Sequence, residues 1–299
     1  MKVTLTGSLG RIGRPLTQEL IEKGYTVTVI SSSSTRSQEI EALGAIPAIG
    51  RLQDVDFLAS TFQGADVVYT MVPPANYFDQ HLDLLGYFKK LGHTFAQAIQ
   101  QAQIKHVVNL SSIGAHLANG NGILEGLYHV EQILNNLPEE VGITHMRPTE
   151  IYYNLFQFVD LIKHQGIIGS NLGENDFNAW VSPADIASAT AEEIMKVSRE
   201  RKARYITSEE LTYKEVASIL GSAIGKPDLK WVMITDEQLL EGLKTVGMQP
   251  TIAEGMMAMY AAIRSGLLYE DYHLHKPTVF GKVKMKDFAT EFAEVYHQK

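Results

Sequence analysis

The chain has 299 residues, with 26 Lys+Arg against 34 Asp+Glu for a formal net charge of −8, 45% hydrophobic residues and no cysteine. This composition is ordinary for a globular protein, and it excludes disordered and collagen-like chains as well as disulfide scaffolds, thiolate nucleophiles, iron–sulfur clusters and Cys-ligated zinc. The acidic balance argues against nucleic acid as the main partner, and the length suits one large domain or a domain plus a smaller lobe.

The first half alternates short β-branched runs with amphipathic stretches. Residues 2–6 form an apolar run that ends at Gly7, and 12–23 follow with helical spacing of Ile12, Leu16, Leu20 and Ile21. Strands are predicted at 26–30, 45–49, 66–71, 106–110 and 143–146. Helices are predicted at 37–43, 54–62, 77–102, 124–134 and 151–163. Strands joined by helix-length crossovers require a parallel sheet, and nearly continuous apolar strands such as Val67-Val68-Tyr69 suit a sheet covered on both faces. The expected fold is a doubly wound α/β domain over 1–150. Residues 151–299 are expected to form a smaller, mostly helical lobe, interleaved with the last strands.

In that second half, Ser182-Pro183 reads as a helix N-cap with proline at the first position. Thr212…Glu215 and Thr235…Gln238 match the capping box, residues 230–234 look like a strand, and helices are expected near 252–264 and 286–297. The opening apolar run is too short for a signal peptide. The stretch 151–168 is broken by Asp160, Lys163 and His164, so no membrane span is expected and the chain reads as cytoplasmic.

The strongest motif is Gly7-Ser8-Leu9-Gly10-Arg11-Ile12-Gly13, between the first strand and the first helix. A pyrophosphate bound there needs backbone amides aimed at it and no side chain in the way; the helix N-terminus supplies both the amides and a positive dipole end. The end of the second strand should choose the cofactor. Ser31-Ser32-Ser33-Ser34-Thr35-Arg36 has hydroxyls and an arginine but no acid, which favours NADP(H) over NAD(H), with Arg36 and Arg11 as cations for a 2′-phosphate.

These residues resemble the short-chain dehydrogenase superfamily, specifically its NmrA-like branch. The resemblance rests on the Thr6-Gly7 start, Gly64-Ala65-Asp66-Val67-Val68, Ser111-Ser112, Arg147-Pro148, Asp185-Ile186-Ala187 and the tail motifs 262–266 and 276–278, which are most like triphenylmethane-dye, azo-dye and quinone reductases. It implies that Gly7, Leu9, Gly10, Arg11 and Ile12 hold the pyrophosphate, while Ser31, Ser32 and Arg36 meet the adenosine end. Met71, Val72 and Pro73 would line the cofactor, Ser111 with Ser112 would touch it, and Pro148 with Thr149 would flank the nicotinamide. Tyr152, Tyr153 and Asn154 are candidates for the cleft wall. Where relatives carry an acid after the third strand, Gly50 is followed here by Arg51.

Many superfamily members use Tyr-x-x-x-Lys, in which lysine lowers the tyrosine pKa. Here Tyr128-His129-Val130-Glu131-Gln132 puts glutamine in the lysine place, and the base of NmrA-like relatives aligns with Leu127 in one register or Glu131 in another. Tyr128 is the candidate catalytic residue, without its electrostatic support. His116 and His129 are weighed for the cleft. His273 and His275 lack the organised carboxylates of a metal site, so no metal is expected. Met248, Met256, Met257 and Met259 suit core or cleft packing.

The expected function is an NAD(P)H-dependent oxidoreductase passing hydride to a quinone-like or dye-like small molecule, as monomer or homodimer. The alternatives are a non-enzymatic NAD(P)-binding redox sensor with a protein partner and, leaning on the missing Tyr–Lys pair, an epimerase or dehydratase.

Overall fold

The computed structural model describes residues 1–298. The first half alternates strand and helix as the periodicity dictates: β1 (Lys2–Leu5), α1 (Gly13–Glu22), β2 (Thr26–Ser31), α2 (Ser37–Ala42), β3 (Ile46–Ile49), α3 (Val55–Phe62), β4 (Val67–Met71), α4 (Leu84–Gln101), β5 (His106–Leu110), α5 (Glu125–Asn135) and β6 (Gly142–Pro148). The second half contributes β7 (Glu150–Ile151), a 3-10 turn over Tyr152–Phe158, α6 (Val159–Gln165), β8 (Ile167–Ser170), β9 (Phe177–Val181), α7 (Pro183–Met195), β10 (Arg201–Ile206), β11 (Glu209–Thr212) and α8 (Tyr213–Ala223). It ends with β12 (Lys230–Met233), α9 (Asp236–Thr245), α10 (Pro250–Arg264), α11 (Glu270–Leu274) and α12 (Met285–Gln298).

Seven strands form one parallel sheet in the order β10-β6-β5-β4-β1-β2-β3. β1 sits at the centre, and the order reverses between it and β4, where Val3 pairs with Val67 and Leu5 with Tyr69. A crevice opens at that point beyond the strands' carboxyl ends. Both faces of the sheet are covered, which is why its strands carry apolar side chains on each side. On one face Leu58, Phe62, Leu91, Phe95, Val130 and Leu134 from α3, α4 and α5 form a core. On the other, Leu16 and Leu20 of α1 share a core with Ile186, Ala187, Ala191 and Ile194 of α7.

A separate core gathers Tyr152, Val159, Ile168, Trp180, Tyr213, Trp231, Phe288 and Phe292 between α6, α8, α12 and the small strands. Two short sheets belong to this part, β11-β9-β7 and β12-β8. Both capping boxes form, with Thr212 and Thr235 accepting from the amides of Glu215 and Gln238, and Ser182 caps α7 ahead of Pro183. No helix among the described residues is long and apolar enough to cross a membrane.

Two predicted helices differ. The 77–102 stretch is helical only from Leu84, because the Asp83 carboxylate accepts from the Gly86 amide at 2.9 Å and starts the helix there. Residues 77–83 instead make turns tied to the second half, with the Gln249 amide donating to Tyr77 O at 2.9 Å and Gln80 Nε2 to Gly247 O at 3.1 Å. The 151–163 stretch is divided among β7, the 3-10 turn and α6, and the chain leaves α6 through Gly166 at φ +72°.

Candidate active site

The glycine loop is shaped by backbone sterics. Gly7 sits at φ +90°, and a Cβ on it would stand 2.6 Å from Met71 Sδ. A Cβ on Gly13 would stand 2.1 Å from the Ser8 carbonyl oxygen, so only glycine lets α1 start this close to the turn. Leu9 is buried beneath the loop, while Gly10 and Arg11 are exposed. Helix α1 follows Ile12 at the N-cap without a side-chain cap and without an acid in its first turn. Among the described residues, the amides of Leu9, Gly10, Arg11 and Ile12 meet no acceptor. The Ser8 hydroxyl is buried and likewise without a partner. Orphaned donors at an uncapped helix start are what a bound phosphate satisfies. These residues fit a dinucleotide pyrophosphate.

At the end of β2, Ser31 is buried and its hydroxyl accepts from the Ser33 amide at 3.2 Å, while Ser32 is exposed. Arg36 reaches back to the glycine loop, donating to Leu9 O at 3.3 Å. It also pairs with Glu39 at 3.1 Å, and Arg14 holds the same carboxylate. Glu39 is an acid that sequence reading missed, since it lies inside α2 rather than at the strand end. Two arginines thus surround one glutamate, leaving local positive charge. Arg11 points elsewhere: its guanidinium stacks on the Tyr153 ring and pairs with Glu291 of α12 at 3.6 Å, and Tyr153 Oη donates to the same glutamate. The loop's arginine therefore spans toward the second half of the chain.

Beyond the sheet edge lies a cleft of about 540 Å³. Val72, Pro73, Ser111, Ser112, Pro148 and Thr149 line its sheet side, and Tyr153 and Asn154 join them. Met71 is not on the lining but lies under Gly7. The opposite wall comes from α10 and the turn after it, with Met256, Met259, Tyr260, Ile263, Leu268 and Tyr269. Tyr152 is fully buried in the second-half core instead, donating to Glu209 at 3.0 Å.

Leu124, just before α5, and Leu127 within it line the cleft. Tyr128 is one residue further, about 100° around the helix. It does not line the cleft and packs edge-on against the His129 ring at 5.4 Å. His129 in turn faces Glu125 at 3.5 Å. No acid–base tyrosine is presented to the cleft from this helix.

Behind Ser111 runs a buried ionic network. The Ser111 hydroxyl donates to Glu131 Oε1 at 2.5 Å, and Arg147 grips the same carboxylate through Nε at 3.0 Å and Nη2 at 2.6 Å. Arg147 Nη1 continues to Asp271 at 2.9 Å, and Tyr205 Oη donates to Asp271 at 2.6 Å. Burial works against the Arg147 charge, but the hydrogen bonds and charge of Glu131 outweigh it and hold its pKa above the usual value. Glu131, one of the two residues aligned with the relatives' base, is therefore committed to structure. Beside this network both nitrogens of His116 are buried without partners, and burial lowers its pKa, with Asp271 opposing. His275 lies 3.2 Å from Asp271, and no cluster of metal-ligating groups occurs among the described residues.

One cleft residue had no counterpart in the sequence reading. Glu150, at the start of β7, has its carboxylate held by Asn178 Nδ2, and Asn178 Oδ1 accepts from Tyr269 Oη. Burial raises the Glu150 pKa to about 7, against the opposing hydrogen bond from Asn178. The available signal was an acid directly after Arg147-Pro148-Thr149, where the last central strand opens on the crevice.

The parallel sheet with a glycine-rich turn at its switch point defines the Rossmann-type, dinucleotide-binding class of fold. The NmrA-like family model matches residues 1–284, and the chain belongs to the NmrA-like family. It is 25% identical to the NAD(P)H azoreductase of Xenophilus azovorans over 260 residues, 87% of this chain and 86% of that one. Among solved structures, the NADPH complex of the NADPH-dependent quinone oxidoreductase QOR2 of Escherichia coli superposes with a TM-score of 0.79 at 18% identity, covering 97% of this chain and 99% of that one. The NADP(H) complex of the Citrobacter sp. triphenylmethane reductase gives 0.75 at 19%, again covering 97% and 99%.

Proposed function

We infer that this protein is an NAD(P)H-dependent reductase that passes hydride to a flat, quinone-like or dye-like acceptor. The observation that carries this reading is the cleft wall: it is mostly apolar and aromatic, and Leu127, one of the two positions that align with the base of NmrA-like relatives, lines it. Charge delivered to such an acceptor spreads into its conjugated system, so proximity and an apolar pocket supply most of what hydride transfer requires. The relatives named as azo-dye, quinone and triphenylmethane reductases support the same chemistry.

Residues 1–150 would carry the dinucleotide and 151–299 the acceptor side. Gly7, Leu9, Gly10 and Ile12 would hold the pyrophosphate, helped by the buried Ser8 hydroxyl. Ser31, Ser32 and Arg36 would meet the adenosine end, while Val72, Pro73, Ser111, Pro148 and Thr149 would flank the nicotinamide, which supplies the hydride when bound. NADP(H) is favoured over NAD(H), because Arg36 and Arg14 together outnumber Glu39 at that end. Arg11 would brace the loop against Tyr153 and Glu291 rather than grip phosphate.

The test is oxidation of NADPH and NADH with a panel of benzoquinones, azo dyes and triphenylmethane dyes. Turnover with at least one acceptor, faster with NADPH, supports the reading. Tight NADPH binding with no turnover on any of them overturns it in favour of a redox sensor.

A further inference from the structure

Hydride transfer to a quinone or an azo group leaves an anion, which becomes product only when it gains a proton. Tyr128 is off the cleft, and neither Gln132 nor Leu127 carries an acidic proton. Glu150 carries the sole carboxyl group among the side chains lining this cleft. Its Oε2 is fixed by the Asn178 amide, and that amide is oriented in turn by the Tyr269 hydroxyl, which donates to Asn178 Oδ1. Oε1 has no hydrogen-bond partner, and Glu150 is half-buried and lines the cleft, so Oε1 is the oxygen left free to bear a proton.

Burial favours the acid form of Glu150, against the hydrogen bond from Asn178. No cation contributes to its ionisation equilibrium, whose influences are burial and the Asn178 amide. The titratable groups that feel its charge are Tyr213 of α8, Tyr260 of α10 and Tyr269, and burial followed by the charge of Glu150 raises each of their pKa values. On β9, the partner strand, Trp180 pairs in register with Glu150 and brings no charge.

We propose that the Glu150 carboxyl is the proton donor that completes reduction of the acceptor. This rests on the reductase reading above. Two electrons and one hydrogen reach the acceptor as hydride from the reduced nicotinamide. The Glu150 O–H bond then breaks as the O–H or N–H bond of the product forms, and the carboxylate regains its proton from water in the open cleft. With the carboxyl raised to about 7, donor and carboxylate are both well populated at neutral pH, which suits a group that must give and regain a proton each cycle.

The experiment compares wild type, Glu150→Gln and Asn178→Ala with a benzoquinone and saturating NADPH across pH, alongside pH-difference infrared spectra of the ligand-free proteins. Wild-type kcat should be level at low pH and fall about tenfold per unit above about 7, while Glu150→Gln should be about 10²-fold slower at pH 6 and lack that limb. NADPH affinity, read by fluorescence, should be unchanged. Infrared spectra should show a carboxyl titrating near 7 in wild type, missing in Glu150→Gln and shifted to higher pH in Asn178→Ala, which loses the amide that favours the carboxylate. A Glu150→Gln enzyme with the wild-type profile, or no carboxyl titrating near 7, overturns the proposal while leaving the reductase reading intact. A wild-type protein that reduces no acceptor overturns both.

Discussion

Glu131→Gln removes the charge that keeps Arg147 content in the interior. Arg147 and Glu131 side chains are 11% and 3% exposed, and the pair is bidentate, with the Ser111 hydroxyl as a third donor to the same carboxylate. Breaking a buried pair by neutralising one partner costs about 3–5 kcal/mol, since the remaining charge stays desolvated. Arg147 keeps Asp271 at 2.9 Å, which places the expected loss at the low end, about 3 kcal/mol. At roughly 2–4 °C per kcal/mol for a chain of this size, the melting temperature should drop by about 6–12 °C. Differential scanning calorimetry of ligand-free protein reads this directly. The double variant Glu131→Gln with Arg147→Met should recover part of the loss, because removing both members of a buried pair is far less costly than removing one. A drop below about 2 °C, or no recovery in the double variant, would refute the view that this pair fastens α5 to β6.

Gly13→Ala should abolish measurable NADPH binding in calorimetry while leaving a folded protein, because its Cβ would meet the Ser8 carbonyl at 2.1 Å and push the turn off α1. Arg36→Ala should weaken NADPH by about ten- to a hundredfold with little change for NADH, as one charge-assisted bond is worth about 1.5–3 kcal/mol; equal losses for both would exclude a 2′-phosphate contact. Thr235→Ala should cost about 1 kcal/mol in urea denaturation through loss of the capping box. Glu150 also makes stability depend on pH. Its pKa rises on folding from the ordinary 4.5 to about 7. Its favourable contribution is therefore complete below 4.5 and is lost as pH climbs to about 7, by roughly 3 kcal/mol at 1.36 kcal/mol per unit. Glu150→Gln should lack that decline when unfolding is followed from pH 4.5 to 8.

The parts legible in the sequence are those set by near neighbours. The glycine loop is a run of seven residues whose meaning depends only on the strand before it and the helix after it. The capping boxes at Thr212 and Thr235 are equally local, and both form. β10 escaped because Arg201-Lys202-Ala203-Arg204 looks like solvated chain; it forms the sheet's edge, where polar residues are tolerated, and Arg201 pairs with Ile143. β8, β9 and β11 are of the same length as β1, β4 and β5, four or five residues, but no regular alternation of strand and helix frames them. The side chains facing the cleft depend on contacts far apart in the chain: Glu150 meets Asn178 across 28 residues, and Asn178 meets Tyr269 across 91. Tyr128 shows the converse, a residue in the right motif position that helix rotation turns off the cleft.

The return of α7 and β10 to the first half has a practical consequence for anyone dissecting the molecule. A fragment cut after residue 150 would keep the glycine loop but lose the strand that covers β6 and the helix that packs beside α1. Its outermost strand would then be a seven-residue, fully buried type laid bare to water, an invitation to stick to other copies. Separately expressed halves should therefore precipitate alone and regain solubility when made together.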